Sequence, residues 1–248
     1  MANKKDKDLL VIRDLKVSYP GAPNIIHDIN VTAKAGSFYG LIGLNGAGKT
    51  TLIKTILGLR QYDEGDISIF KKSNIDKNSK RNIAFLPERF DPPWFLTGLE
   101  FLRFSTKIYG VKLSDSTFCE EAEKLALDQA ALARKVETYS KGMRQKLGLL
   151  ATILTGCSLL ILDEPMSGLD PRARALVKDM LLQTKEQGRT IFLSSHILAD
   201  MDEICDVVSV LHDRTILFEG TPAALKKEAG QKNLERAFLH FIEEKKAA

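Results

Sequence analysis

The sequence predicts an α/β fold in which strands alternating with helices make a core and a helical stretch is inserted as a lobe. Three observations predict it. Gly43-Leu44-Asn45-Gly46-Ala47-Gly48-Lys49-Thr50 reads G-x-x-x-x-G-K-T, between a short apolar run and a run of helical spacing. Strand-like runs occupy the chain up to Leu86 and resume at Leu159. Between them, from Glu88 to about Gly156, the pattern is helical without a convincing strand.

Taken in order, residues 9–19 alternate loosely and end at Tyr19-Pro20-Gly21, a strand closed by a turn. Ile25 to Ala33 reads as a second strand, turned back by Lys34-Ala35-Gly36. Ser37 to Ile42 is a short buried strand, and Leu52, Ile53, Ile56 and Leu57 recur at helical spacing until Gly58. Asp66 to Phe70 is a strand after the turn Asp63-Glu64-Gly65. Lys71 to Arg81 reads as an exposed polar loop, and Asn82 to Leu86 as a strand ended by Pro87. In the lobe, Thr97-Gly98-Leu99-Glu100 is a capping-box pattern, with Phe101, Phe104 and Ile108 on one helical face behind it. Helices are expected over 115–127 and 141–155. After the strand Leu159 to Leu162, Asp170-Pro171 is an N-cap and first-turn pair. It opens a helix with the face Ala173, Leu176, Val177 and Met180, stopped at Gly188. Strands are expected at Thr190 to Ser194, Val207 to Leu211 and Thr215 to Phe218. Thr221-Pro222 opens a short helix, and an amphipathic tail carries Phe238, Phe241 and Ile242.

A chain of 248 residues suits one large domain, and 44% hydrophobic with 27% charged residues is the balance of a globular protein. The net charge of +4 comes from 36 basic and 32 acidic residues, so no broad basic face and no nucleic-acid partner are expected. Lys4-Lys5-Asp6-Lys7 reads as a solvated tail. Cys119, Cys157 and Cys205 lack C-x-x-C spacing, which points to reduced, mostly buried thiols in a cytosolic protein. Leu9 to Ile12 is too short for a signal peptide. The longest uncharged stretch, Leu147 to Leu162, is broken at Thr155-Gly156-Cys157-Ser158 and falls short of the roughly 20 residues of a spanning helix. It reads as a buried helix running into a buried strand.

The glycine-rich stretch has the residue types that hold phosphate. Glycines let successive backbone N–H groups face one anion, Lys49 adds a cation, and the Thr50 hydroxyl can ligate Mg²⁺. A strand before it and a helix after it put the anion at a helix N-terminus. Leu159-Leu160-Ile161-Leu162-Asp163-Glu164-Pro165 is an apolar strand ending in two carboxylates. Parallel to the strand before the loop, it would deliver Asp163 beside the loop to hold Mg²⁺, and Glu164 where it can polarise a water towards a γ-phosphate. His196, after Ser194-Ser195, can reach the same phosphate by hydrogen bond. Each alone has a plain alternative, a solvated acidic turn or a surface histidine; the combination with the loop favours the functional reading.

Further elements in fixed order resemble the ATP-binding-cassette (ABC) ATPase family across essentially the whole chain. Tyr19 stands where the family places an aromatic that stacks on adenine. Tyr139-Ser140-Lys141-Gly142-Met143-Arg144-Gln145 lies at the family signature, Ser167-Gly168-Leu169-Asp170 at its D-loop, and Pro87-Glu88 at its Q-loop. The resemblance implies a P-loop NTPase (RecA-like) core with an antiparallel β subdomain, in residues 1–87 and 158–220, an inserted helical lobe in 88–157 and a helical tail in 221–248. It also implies ATP and Mg²⁺ as cofactors. Gly43, Asn45, Gly46, Ala47, Gly48, Lys49, Thr50 and Thr51 would bind the nucleotide together with Tyr19, Glu88 and Asp170. Thr50, Asp163 and Glu88 would hold the metal, and Glu164, His196 and Lys49 would be catalytic. Ser140 and Gly142 would complete the site of a second copy or a homologous cassette in a head-to-tail dimer. Two departures stand out: Lys141 and Met143 replace Gly and Gln, and Glu88 replaces Gln, as is familiar in bacterial export-type subunits. The implied function is the ATPase of a membrane exporter on the cytoplasmic face, docked near Glu88–Phe95 on a separate multi-spanning subunit. The alternatives are a soluble ABC ATPase of translation or DNA maintenance, disfavoured by the balanced charge and the single cassette, and a phosphate-loop kinase, which has no use for the signature.

Overall fold

Alternating apolar residues build the first layer. β1 (Asp8–Tyr19) and β2 (Ala22–Lys34) pair antiparallel, with Leu10, Ile12, Leu15 and Val17 buried. β3 (Phe38–Ile42) leaves that sheet and runs into the glycine loop and α1 (Lys49–Ile56). β4 (Glu64–Ile69) returns to pair with β1, and β5 (Lys72–Ser73) pairs with β4, closing a four-stranded antiparallel sheet in the order β2-β1-β4-β5. The computed structural model describes residues 8–19 and 21–247; the Lys4–Lys7 run and Pro20 of the expected turn lie outside the described residues.

Residues 71–81 differ from the exposed loop their polar composition predicts. They hold β5 and a one-turn helix, α2 (Lys77–Lys80), capped by Asp76, which accepts from the N–H groups of Asn78 and Ser79. Asn74 and Ser79 are buried. The Asn74 side-chain amide donates to the Thr55 and Ile56 carbonyls at 2.8 and 3.3 Å, satisfying the end of α1. A polar side chain is buried here because a helix end needs it, and composition cannot show that.

β6 (Ile83–Leu86) precedes the helical run α3 (Gly98–Ile108), α4 (Asp115–Glu123), α5 (Gln129–Ala133) and α6 (Lys141–Leu154). The Thr97–Glu100 capping box forms as expected. The predicted face does not: Phe101, Leu102 and Thr106 are buried, whereas Phe104 and Ile108 are 52% and 67% exposed. α3 packs on α4, α5 and α6, and Phe101 and Leu102 are the residues of that face it buries there, while Ile108 lies at the mouth of a groove beside α6. The helix expected over 115–127 stops at Glu123, and the chain turns through Ala126 at φ +52° before Asp128 caps α5.

β7 (Leu159–Asp163), α7 (Pro171–Glu186), β8 (Thr190–Ser195), α8 (Leu198–Ile204), β9 (Val207–His212), β10 (Thr215–Gly220), α9 (Pro222–Glu228) and α10 (Leu234–Ala247) complete the chain. α8 has no counterpart in the sequence expectations. The second sheet has the order β10-β9-β3-β8-β7-β6, parallel except at β10. Its central strands are buried on both faces, which is why they read as continuous apolar runs. Phe38 and Ile42 face the core shared with the helices, and Tyr39 and Leu41 the core shared with the antiparallel sheet. Tyr39 stacks on Phe192 there, with ring centroids 5.1 Å apart. Leu234, Ala237, Phe238 and Ile242 bury one side of α10 against α8 and α9. The chain has the mixed α/β architecture of a phosphate-loop NTPase with an added antiparallel sheet. Among the described residues no helix is long and apolar enough to cross a membrane.

Candidate functional site

Register assembles the site. In the parallel sheet Ile42 lies opposite Ser195, and Asp163 opposite Ser194, so the carboxyl ends of β3, β7 and β8 share one edge. In open α/β sheets ligands bind at that edge. There the loop, Glu164 and His196 meet around a cavity of about 520 Å³ lined in part by Asn45, Lys49, Thr50, Glu88, Glu164 and His196, while Asp163 is not among its lining residues and touches it through Thr50.

The loop owes its shape to glycine at two positions. A Cβ on Gly43 would lie 2.6 Å from the Leu211 carbonyl oxygen of β9, which is backbone and cannot swing away. Gly48 sits at φ +109°, and a Cβ there would meet an Ile26 methyl at 2.7 Å. Lys49 is 7% exposed. Its ammonium donates to the carbonyls of Gly43 at 2.8 Å and Leu44 at 3.3 Å, and stands 3.3 Å from Glu164 Oε1. The cation is thus held over the loop among acceptors.

The two carboxylates divide their partners. Thr50 Oγ1 donates to Asp163 Oδ2 at 2.8 Å, and Ser194 Oγ to Asp163 Oδ1 at 2.5 Å. Glu164 is 5% exposed and sits at φ +52°, a left-handed conformation that costs an L-residue about 1–2 kcal/mol. That kink turns its side chain back into the cavity, where Oε2 lies 2.8 Å from His196 Nδ1. Backbone strain at a buried carboxylate in a cleft is a mark of function. The oxygen-rich pair Thr50–Asp163, with Glu88 on the same cavity, fits a hard cation such as Mg²⁺. Among the described residues no group of three or more His, Cys, Asp or Glu could hold a metal alone, so substrate oxygens would have to share the coordination.

Not every residue singled out from sequence reaches the cavity. Tyr19 stands beside it, its hydroxyl 3.5 Å from Thr51 Oγ1, and the Arg60 guanidinium covers one ring face at 3.3 Å, so the ring can stack a base on its other face only. Ser140 and Gly142 do not line it: Ser140 caps α6 by accepting from Met143 N–H. Asp170 is also away, its Oδ1 accepting from Ala173 N–H at 2.9 Å. A second cavity of about 380 Å³, lined by Lys141, Arg144, Gln145, Asp91, Glu88 and Ser167 among others, lies next to the first and shares Glu88 and Ser167 with it. Sequence reasoning did not single out Ser167, Ser194, Ile25 or Arg60 as site residues. Ser167, within Ser167-Gly168-Leu169-Asp170, was legible as part of a motif; the others depend on strand register and packing.

Residues 26–167 match the family model described as ABC transporter. The chain belongs to the ABC transporter family. It is 34% identical over 236 residues to the lantibiotic transport ATP-binding protein SrtF of Streptococcus pyogenes, covering 94% of this chain and 97% of that one. To a fluoroquinolones export ATP-binding protein of Mycobacterium tuberculosis it is 34% identical, over 88% of this chain and 73% of the other. It spans 56% of a longer relative, an uncharacterised ABC transporter ATP-binding protein of Synechocystis sp., at 36% identity over 79% of this chain. A solved structure described as an ATP binding subunit of ABC transporter superposes with TM-score 0.84 at 32% identity, covering 94% of this chain and 99% of that one. This ABC cassette is an ATPase whose cofactors are ATP and Mg²⁺.

Proposed function

We propose that the chain is the ATP-hydrolysing subunit of a membrane exporter, working as a head-to-tail dimer on the cytoplasmic face of the membrane. The observation that carries the chemistry is the meeting of Thr50–Asp163 and Lys49–Glu164–His196 around one cavity. In this reading the loop N–H groups and Lys49 would bind the phosphates, and Thr50 and Asp163 would hold Mg²⁺ with Glu88 beside them, which would supply neutralisation of phosphate charge. Glu164 takes the proton of the attacking water, His196 holds Glu164 and contacts the γ-phosphate, and Tyr19 stacks the adenine on the face Arg60 leaves open. The core residues 1–87 and 158–220 would carry the nucleotide and the lobe 88–157 the signature, with 221–248 as a helical tail.

The head-to-tail arrangement is supported by where the signature residues sit. Ser140 and Gly142 sit at the start of a 14-residue helix, away from the chain's own loop. Its first-turn N–H groups and the nearby Lys141 and Arg144 suit the γ-phosphate of a second copy. Asp170 joins that interface. Export is supported by the transport and export subunits to which the chain is similar. A membrane partner is supported by the surface near Glu88–Phe95: Trp94 and Phe95 are 64% and 56% exposed, beside a lobe whose Phe104 and Ile108 are also uncovered.

The test is Glu164→Gln in the full chain. It should keep ATP binding, slow hydrolysis by about 10²–10⁴-fold, and elute as a dimer with ATP and Mg²⁺. Ordinary turnover would sink the base assignment, and monomeric elution the dimer. Recovery of a multi-spanning protein with the tagged chain from detergent-solubilised membranes supports the exporter; recovery with ribosomes or DNA overturns it.

A further inference from the structure

We propose that Ser194 is a positioning residue that sets both carboxylates of the site, an inference that rests on Asp163 being a Mg²⁺ ligand. Ser194 is on β8 directly opposite Asp163, is fully buried, and does not line the cavity. A hydroxyl offers one donor and two acceptor positions. Ser194 uses the donor on Asp163 Oδ1 at 2.5 Å and an acceptor on the Glu164 N–H at 3.1 Å. The same N–H lies 3.2 Å from the Ser194 carbonyl.

One side chain thereby does two things. Tying down Oδ1 turns Oδ2 of Asp163 towards Thr50, 2.8 Å away, which orients the oxygen that faces the metal position. Holding the Glu164 N–H keeps that residue at φ +52°, the conformation that aims its carboxylate at Lys49 and His196. In Ser194→Ala, Asp163 Oδ1 would be buried without its donor, because Asp163 is 1% exposed and water cannot replace the hydroxyl. The Glu164 N–H would keep only a backbone carbonyl. Partners of this kind orient a metal ligand without touching the metal.

The experiment compares the full-length chain with Ser194→Ala, Ser194→Cys and Asp163→Asn, using binding of a fluorescent ATP analogue in EDTA and through a Mg²⁺ titration. Ser194→Ala should bind the analogue in EDTA within about twofold of the parent, while the Mg²⁺ needed for half-maximal tightening rises about 10–100-fold. Ser194→Cys, of similar size with a weak S–H donor, should shift the same way by less, and carries the test if the alanine variant does not fold. A lowered melting temperature with an unchanged Mg²⁺ midpoint makes Ser194 a packing residue and overturns the proposal. If Asp163→Asn moves the midpoint and neither Ser194 variant does, only the Ser194 role fails. If none moves it, the assignment of Asp163 to the metal fails.

Discussion

Gly148 lies inside α6, where glycine is ordinarily a weakness, and replacing it with alanine should nonetheless destabilise the protein. A Cβ there would stand 2.6 and 2.7 Å from two ring carbons of Phe90 and 2.8 Å from a Leu86 methyl. That is about 1 Å inside the usual carbon–carbon contact of 3.5–4.0 Å. Relief requires the Phe90 ring to move, and the ring is held edge-on against Phe101 at 5.6 Å. Overpacking costs about 1–3 kcal/mol, against which the loss of a helix-interior glycine returns about 0.5–1 kcal/mol. The balance centres near 1 kcal/mol of destabilisation, a fall of about 2–4 °C in the thermal midpoint for a chain of this size. Thermal unfolding followed by circular dichroism measures it. Adding Phe90→Leu, which removes the ring edge, should recover most of the loss as a coupling of about 0.5–3 kcal/mol in the double-mutant cycle. A rise in the midpoint for Gly148→Ala alone, as in a helix with open space beside the glycine, would refute the packing argument.

Two further outcomes follow from buried or capping polar groups. Asn74→Ala takes the side-chain donor from the Thr55 and Ile56 carbonyls, of which Thr55 keeps the Gly58 N–H, and should cost about 1–3 kcal/mol in denaturant unfolding; no measurable loss would mean that the Ile56 carbonyl does not need the amide. Asp76 is held below its ordinary value of 3.8, first by the Asn78 N–H, with burial opposing and the Ser79 N–H and Lys72 adding to the lowering. Its ionised form is the one the fold favours, so its contribution is complete above pH 3.8 and lost as pH falls through the lowered value. Asp76→Asn keeps a capping oxygen without titrating. The midpoint difference between parent and variant should therefore shrink as pH drops from 5 to about 3, and a constant difference would refute the linkage.

The chemistry of the site was legible because much of it is local. Phosphate binding by Gly43–Thr50 depends on spacing along the chain, and Asp163-Glu164 announces itself as an apolar strand ending in charge. Ser194 was visible only as the residue two before His196; its importance comes from standing opposite Asp163 across two strands 31 positions apart in sequence. Arg60 likewise finds Tyr19 through the return of the chain after α1. The errors share a cause. Phe104 and Ile108 follow helical spacing, yet a helix packed on three neighbours buries the side that meets them, and periodicity cannot say which apolar side that is. Residues 71–81 look like a solvated loop because Asn74 and Ser79 are polar, and both are buried where helix ends and turns need hydrogen-bond partners.

These placements bear on how the lobe and the nucleotide cavity communicate. Glu88 lines both cavities, and Phe90, two residues on, packs over Gly148 and against Phe101. The same Phe90 lines a small groove with Phe85, Ile108 and Tyr109. That groove is walled on its other side by Gly148, Ala151 and Thr152 of α6, so whatever fills it would touch the ring and α6 together. Phe90 therefore borders the groove on the lobe and the second cavity that shares Glu88 with the nucleotide cavity.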